Sequence, residues 1–385
     1  MKSLYVHIPF CKQKCLYCDF NSYSGKENLI DEYVIALKKE IQSYNLNCFE
    51  TVYFGGGTPS IIPAKYIKEI MEQINCVGEV TLELNPGTID GDKLKQYKEA
   101  GINRLSIGLQ ATQDSILREI GRIHTLEEFE NAYKMARKVG FENINVDLMF
   151  GLPNQTVKDV KESLEYLIKI NPEHISCYSL VLHNDIFKNL PTENEEREMY
   201  YLIIKRLKEA GYNHYEISNF AKLGKESKHN LCYWNQQEYV GVGAGASSYI
   251  DNKRYTNELN IEKYILKINQ NEQWYEIEEI QDEEAKIREY MILRLRLLEG
   301  VNIEDVHEKF GVDIYKKFEK EIKKLKGKGL IEVVEDIEKI ASDGLQKSIA
   351  IRKEERYNEI IGKCEYIRLT QKGLDFANAV WSEFI

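Results

Sequence analysis

Cys11-Lys-Gln-Lys-Cys15-Leu-Tyr-Cys18 directly follows an apolar run, Leu4-Tyr5-Val6-His7-Ile8, that reads as a strand. Three cysteines at CxxxCxxC spacing on one tight loop can aim three thiolates at one small volume. An iron–sulfur cube held by three cysteines keeps one iron without a protein ligand, where a small molecule can bind and take up an electron. Two plainer readings stay open here: structural zinc and ordinary buried thiols. Closed zinc sites take four ligands, commonly in two pairs. The other cysteines (Cys48, Cys76, Cys177, Cys232 and Cys364) are scattered, although His7 could complete a tetrahedron. Lys12 and Lys14 flank the thiols, and nearby cations lower thiol pKa values and offset the charge of an anionic cluster.

A second stretch works with the first. Val52-Tyr53-Phe54 runs into Gly55-Gly56-Gly57-Thr58-Pro59-Ser60, an apolar strand ending in glycines that let backbone approach a ligand closely. The GK[ST] ending of a phosphate-binding P-loop is absent. CxxxCxxC followed by GGGTPS resembles the radical S-adenosylmethionine (SAM) superfamily. The opening Tyr-Val-His-Ile-Pro-Phe-Cys is similar to the oxygen-independent coproporphyrinogen III oxidase family, including its HemW heme-chaperone branch. The resemblance covers nearly the whole chain.

Length and composition set the bounds. A chain of 385 residues suits one large domain and a smaller one, and 43% hydrophobic with 30% charged residues describes a globular protein. No apolar run is long enough to span a bilayer, and the start lacks a signal-peptide pattern. Eight cysteines in this length are too few for a secreted disulfide scaffold, and a labile cluster needs a reducing compartment, so the expected location is the cytoplasm. A net charge of −10 argues against broad nucleic-acid binding.

Along the chain, strand-like runs at 4–8, 51–54, 79–84, 104–107, 144–149 and 174–180 alternate with amphipathic segments at 31–43, 64–73, 126–139 and 157–170. That alternation signals parallel βα units. The expected fold is α/β, a partial (β/α)6 barrel over 1–250, a connecting segment over 251–280, and a small winged-helix-like domain over 281–385. In such barrels functional residues gather at the C-terminal strand ends, where Glu83, Asn85, Gln110, Asp147 and Gly151 stand. The run from Gly241 to Tyr249 reads as close backbone packing. Downstream, helices are expected at 283–298, 302–310 and 314–326, a strand from Gly329, a polar insertion at 336–358, and a last strand at Tyr366 before a C-terminal helix. Mixed charge in this part favours a lid or protein-contact role over DNA reading.

The resemblance implies the rest. A radical SAM barrel would hold a [4Fe–4S] cluster on Cys11, Cys15 and Cys18, with Tyr17 near the adenine of SAM. Tyr5, Gly56, Gly57, Thr58 and Glu83 match positions around SAM; Gln110, Arg122 and Asp147 match positions that the oxidase associates with a second SAM. The oxidase carries a further cysteine where this chain has Phe20, and an N-terminal extension where this chain begins almost at its first strand. Both departures match the HemW branch. So does His229-Asn-Leu-Cys-Tyr233-Trp234, similar to its heme-associated motif: imidazole is an axial iron ligand, and Tyr and Trp offer flat apolar surface. The implied function is heme chaperoning, with delivery to an acceptor protein of respiratory or heme-storage kind. The alternative is radical-SAM decarboxylation of coproporphyrinogen III.

Overall fold

The computed structural model describes residues 2–44, 48–181, 186–335 and 365–385. It divides into two compact units, residues 1–203 with 237–280 and residues 204–236 with 281–385.

In the first unit, six parallel strands lie side by side in chain order: β1 (Lys2–Ile8), β2 (Phe49–Gly56), β3 (Cys76–Leu84), β4 (Arg104–Gln110), β5 (Ile144–Phe150) and β6 (His174–Ser179). Helices α1 (Ile30–Ser43), α2 (Ala64–Met71), α3 (Gly91–Glu99), α4 (Leu126–Val139) and α5 (Val157–Ile170) occupy the crossovers. This is the expected partial (β/α)6 barrel. Sequence explains the sharp helix starts: Thr125 with Glu128, and Thr156 with Asp159, form reciprocal capping boxes.

Alternation along the strands separates two faces. Leu4, Val6, Val52, Phe54, Leu82, Leu105, Ile107, Val146 and Leu148 are fully or almost fully buried on the apolar face. The opposite face is polar, and parallel register aligns it across strands. Tyr5 stands beside Tyr53, Thr81 beside Arg104, Glu83 beside Ser106, Ser106 beside Asn145, and Asp147 beside Ser176. A polar barrel interior survives burial only when its groups find partners. Asn145 Nδ2 donates to Ser106 Oγ at 2.8 Å and to Asp147 Oδ1 at 2.7 Å, and Tyr53 Oη donates to Glu83 Oε1 at 2.8 Å.

Residues 251–280, expected as a connector, are instead built into the first unit. Strand β7 (Tyr239–Val242) pairs parallel to the free edge of β1; β8 (Ser247–Ile250), β9 (Lys253–Asn257) and β10 (Tyr275–Ile280) continue antiparallel. The reason is a buried carboxylate. Glu40 on α1 accepts from Gly243 N, Asn257 Nδ2, Trp274 Nε1 and Tyr264 Oη, all at 2.5–2.9 Å. The Gly241–Tyr249 run is therefore packing, as its composition suggested.

In the second unit, α6 (Lys228–Trp234) joins α7 (Glu283–Arg294), α8 (Ile303–Phe310) and α9 (Glu319–Gly327). Strands β11 (Val301–Asn302), β12 (Ile331–Val334) and β13 (Tyr366–Leu369) form an antiparallel sheet in the order β11–β13–β12, followed by α10 (Ala377–Trp381). Met291, Leu295, Val306, Phe318, Ile367 and Phe384 make its core. The helix expected over 314–326 breaks at Phe318, whose fully buried ring packs edge-on against Phe384 at 5.3 Å. The helix expected to reach 298 ends at Arg294, whose Nη2 turns to Glu299 at 2.6 Å and the Gly300 carbonyl at 3.0 Å. The polar insertion expected at 336–358 lies outside the described residues, as does Cys364. Among the described residues no helix is long and apolar enough to cross a membrane.

Candidate cluster and cofactor site

The cysteine loop is seated on the glycine turn. Gly57 N donates to Ile8 O at 2.9 Å and Thr58 N to Phe10 O at 2.8 Å. Gly56 holds φ +112, a left-handed conformation suited to glycine, and a Cβ on it would strike the His7 ring at 2.5 Å. A Cβ on Gly57 would come within 2.7 Å of Phe10 O and 3.0 Å of Cys11 Sγ. Two consecutive glycines thus let the loop lie flat against β2.

An arc of polar contacts then links two of the three thiols. Cys11 Sγ lies 3.6 Å from Thr58 Oγ1; Asn85 Nδ2 donates to Thr58 Oγ1 at 3.0 Å. Arg122 Nη2 donates to Asn85 Oδ1 at 2.6 Å and Nη1 to Cys15 Sγ at 3.6 Å. Arg122 Nε faces His124 Nδ1 at 3.3 Å, while His124 Nε2 faces the Leu109 carbonyl at 3.3 Å. Only a neutral ring with its proton on Nε2 satisfies both contacts, in keeping with a His124 pKa lowered to about 3 by burial and then by Arg122. A cleft beside these groups is lined by Cys15, Thr58, Asn85, Thr88, Arg122 and His124.

The thiols themselves differ from the sequence expectation. Cys11 and Cys18 are shifted up, chiefly by burial, with the other thiols adding to the shift. Lys14 only weakly opposes this at Cys18, because its ammonium folds back onto the carbonyls of Phe20 at 2.9 Å and Ser22 at 3.4 Å. Among the described residues, the cation in contact with one of these thiols is Arg122, on Cys15.

Three thiols share one loop and feel one another's charge. Among the described residues no three His, Cys, Asp or Glu side chains converge tightly enough for a single metal ion. The chemistry of the donor set, three thiols on one loop with the Arg122 guanidinium on Cys15, suits an anionic cluster. Around it, Gln110 holds an unusual φ of +64, and its Oε1 is buried without a hydrogen-bond partner. Strained backbone with an unmatched acceptor is the kind of feature a ligand donor resolves. Glu83, with Tyr53 donating to it, has its carboxyl pushed up to about 7 by burial first and by Asp147 among lesser causes. Asp147 is raised by burial as well. Tyr5 Oη contacts His7 Nδ1 at 3.1 Å, and Tyr17 packs beside the Ile116–Leu117–Ile120 cluster. These residues fit a polar, adenosyl-bearing ligand.

Comparison with known proteins gives the lineage. Residues 5–167 match the radical SAM superfamily model, and 281–339 match the HemN C-terminal domain model. The chain is 40% identical over 352 residues to heme chaperone HemW of Bacillus subtilis, covering 86% of this chain and 93% of that one. It is 34% identical to HemW of Lactococcus lactis, covering 100% and 97%. The chain belongs to the HemW family. The coproporphyrinogen III oxidase HemN of Escherichia coli superposes with a TM-score of 0.82 at 22% identity, covering 99% of this chain and 89% of that one, which establishes the shared fold. Radical SAM membership implies a [4Fe–4S] cluster and SAM.

The remaining expected site residues belong to the second unit. His229 on α6 is buried, its Nε2 2.7 Å from Tyr233 Oη and the two rings edge-to-face at 5.0 Å. Cys232 Sγ is buried and donates to Lys228 O at 3.3 Å, an ordinary packed thiol. Trp234 lies under Arg296, 4.4 Å from ring centroid to Cζ. Sequence reading passed over His124, Tyr53 and Arg104. The last two are visible only as the polar half of strand alternation once register is known.

Proposed function

We propose that this protein is a heme chaperone: it carries a [4Fe–4S] cluster and SAM in its first unit, binds heme through α6, and passes it to an acceptor protein. The observation that carries this reading is identity of 34–40% across nearly the full length of two proteins named HemW. Phe20, where the oxidase family has a further cysteine, favours it over porphyrinogen decarboxylation. When bound, the cluster supplies an open iron and one-electron chemistry. Cys11, Cys15 and Cys18 would hold it, Arg122 would balance charge at Cys15, Glu83 would orient SAM, and Gln110 and Asp147 stand at the positions that the oxidase associates with a second SAM. In the second unit His229 can reach a heme iron once the Tyr233 hydroxyl turns away from Nε2, and the residues from 281 onward serve contacts with other proteins.

Anaerobically reconstituted protein titrated with heme should shift the Soret band, and His229→Ala should weaken or abolish the shift. If neither protein responds at micromolar heme, the chaperone reading fails. Decarboxylated product from coproporphyrinogen, SAM and reductant would instead support the oxidase.

A further inference from the structure

Trp234, Arg296 and Trp381 form a stack within the second unit. Arg296 Cζ lies 4.4 Å from the Trp234 ring centroid and 5.4 Å from that of Trp381. Glu216, fully buried, holds one end, accepting from Arg296 Nη2 at 3.3 Å. The rest of the stack is unmatched. Nε1 of both indoles and Nε of Arg296 are buried with no hydrogen-bond partner.

All three orphan groups are donors, and neither indole N–H nor guanidinium can accept. A buried donor left without an acceptor is costly, so three such groups carried by the members of one stack need an explanation. A group that satisfies them must bring oxygen acceptors. The guanidinium favours a negatively charged oxygen, and the indoles favour an attached flat π body. The three side chains are only partly buried although their orphan nitrogens are sealed, so the stack reaches the surface of its unit. Helix α6 supplies Trp234 directly after Tyr233, so one helix carries both His229 and a wall of the stack.

We propose that the Trp234–Arg296–Trp381 stack is a carboxylate-binding subsite that receives a propionate of the heme. This rests on the heme reading above and extends it from the α6 motif to residues far away in sequence. The donors are sealed in the heme-free protein, and turning of the partly exposed side chains brings them to the acceptor that the ligand carries.

The test uses full-length, anaerobically reconstituted protein titrated with heme and with heme dimethyl ester, whose propionates are capped. Trp381→Phe and Trp234→Phe each delete one N–H and keep a flat ring. Trp381→Phe should weaken heme binding about tenfold, the scale of one hydrogen bond to a charged group, and leave ester binding unchanged, whereas Trp234→Phe should weaken heme binding more than ester binding. The melting temperature of the heme-free variants should stay level or rise, because an orphan donor has been removed. A purely packing role predicts the reverse: lower melting temperature and equal losses for heme and ester. That result, or unchanged heme binding in both variants, overturns the subsite. Wild type that binds neither compound overturns the heme reading together with it.

Discussion

Glu83 shows how a single side chain reports its surroundings. Its carboxyl is buried, receives the Tyr53 hydroxyl, and stands near Asp147; burial dominates and moves its pKa from 4.5 to about 7. The folded state therefore grips this proton more tightly than the unfolded chain does. Its stabilising contribution is complete below about pH 4.5 and is lost as pH rises through about 7. Glu83→Gln keeps a neutral side chain at every pH. Wild-type apoprotein should thus fall behind this variant in unfolding free energy, measured by denaturant titration, between those pH values, by on the order of 3 kcal/mol once above them. Parallel curves across that range would show that Glu83 titrates normally. His124 teaches the converse lesson: a ring held between an arginine and a carbonyl has one admissible tautomer, fixed by geometry that its sequence neighbours do not reveal.

At the scale of elements, the turn after β2 matters most. Sequence legibly gave its role, since three glycines ending an apolar strand imply close backbone approach. It could not say what approaches. The structure answers with Ile8 O, Phe10 O and Cys11 Sγ. Gly57→Ala would place a methyl 3.0 Å from Cys11 Sγ and 2.7 Å from Phe10 O. The expected outcome is about 1–3 kcal/mol of lost stability from overpacking and a sharp drop in iron bound per chain after reconstitution. Full iron loading would mean the loop does not depend on that seat. Strands and long helices were also legible, because period-two and capping signals are local. The break at Phe318 and the early end at Arg294 were not, because each involves a distant partner, Phe384 in one case and, beside the nearby Glu299 and Gly300, Asn235 in the other.

For the whole molecule, residues 204–236 fold with the C-terminal part although the barrel flanks them on both sides in sequence. Their ties are specific. Arg294 bonds Asn235, Gln236 Nε2 donates to Lys286 O at 2.9 Å, and Leu298 N donates to Tyr215 O at 3.1 Å. A chain ended after Ile280 loses every one of these partners. It should show protease cleavage within 204–236 and no Soret response to heme. Protection of that segment in the shortened chain would contradict the assignment of α6 to the second unit.

The sequence by itself determined the parallel βα order, the three-thiol loop and its glycine seat, because these depend on spacing and alternation within short stretches. Only the tertiary structure decided which cation meets a thiol, that 251–280 extends the sheet, and that Trp234, Arg296 and Trp381 share one stack. Those outcomes come from burial and register between residues far apart in the chain, where a buried charge or donor takes the partner that packing brings within reach.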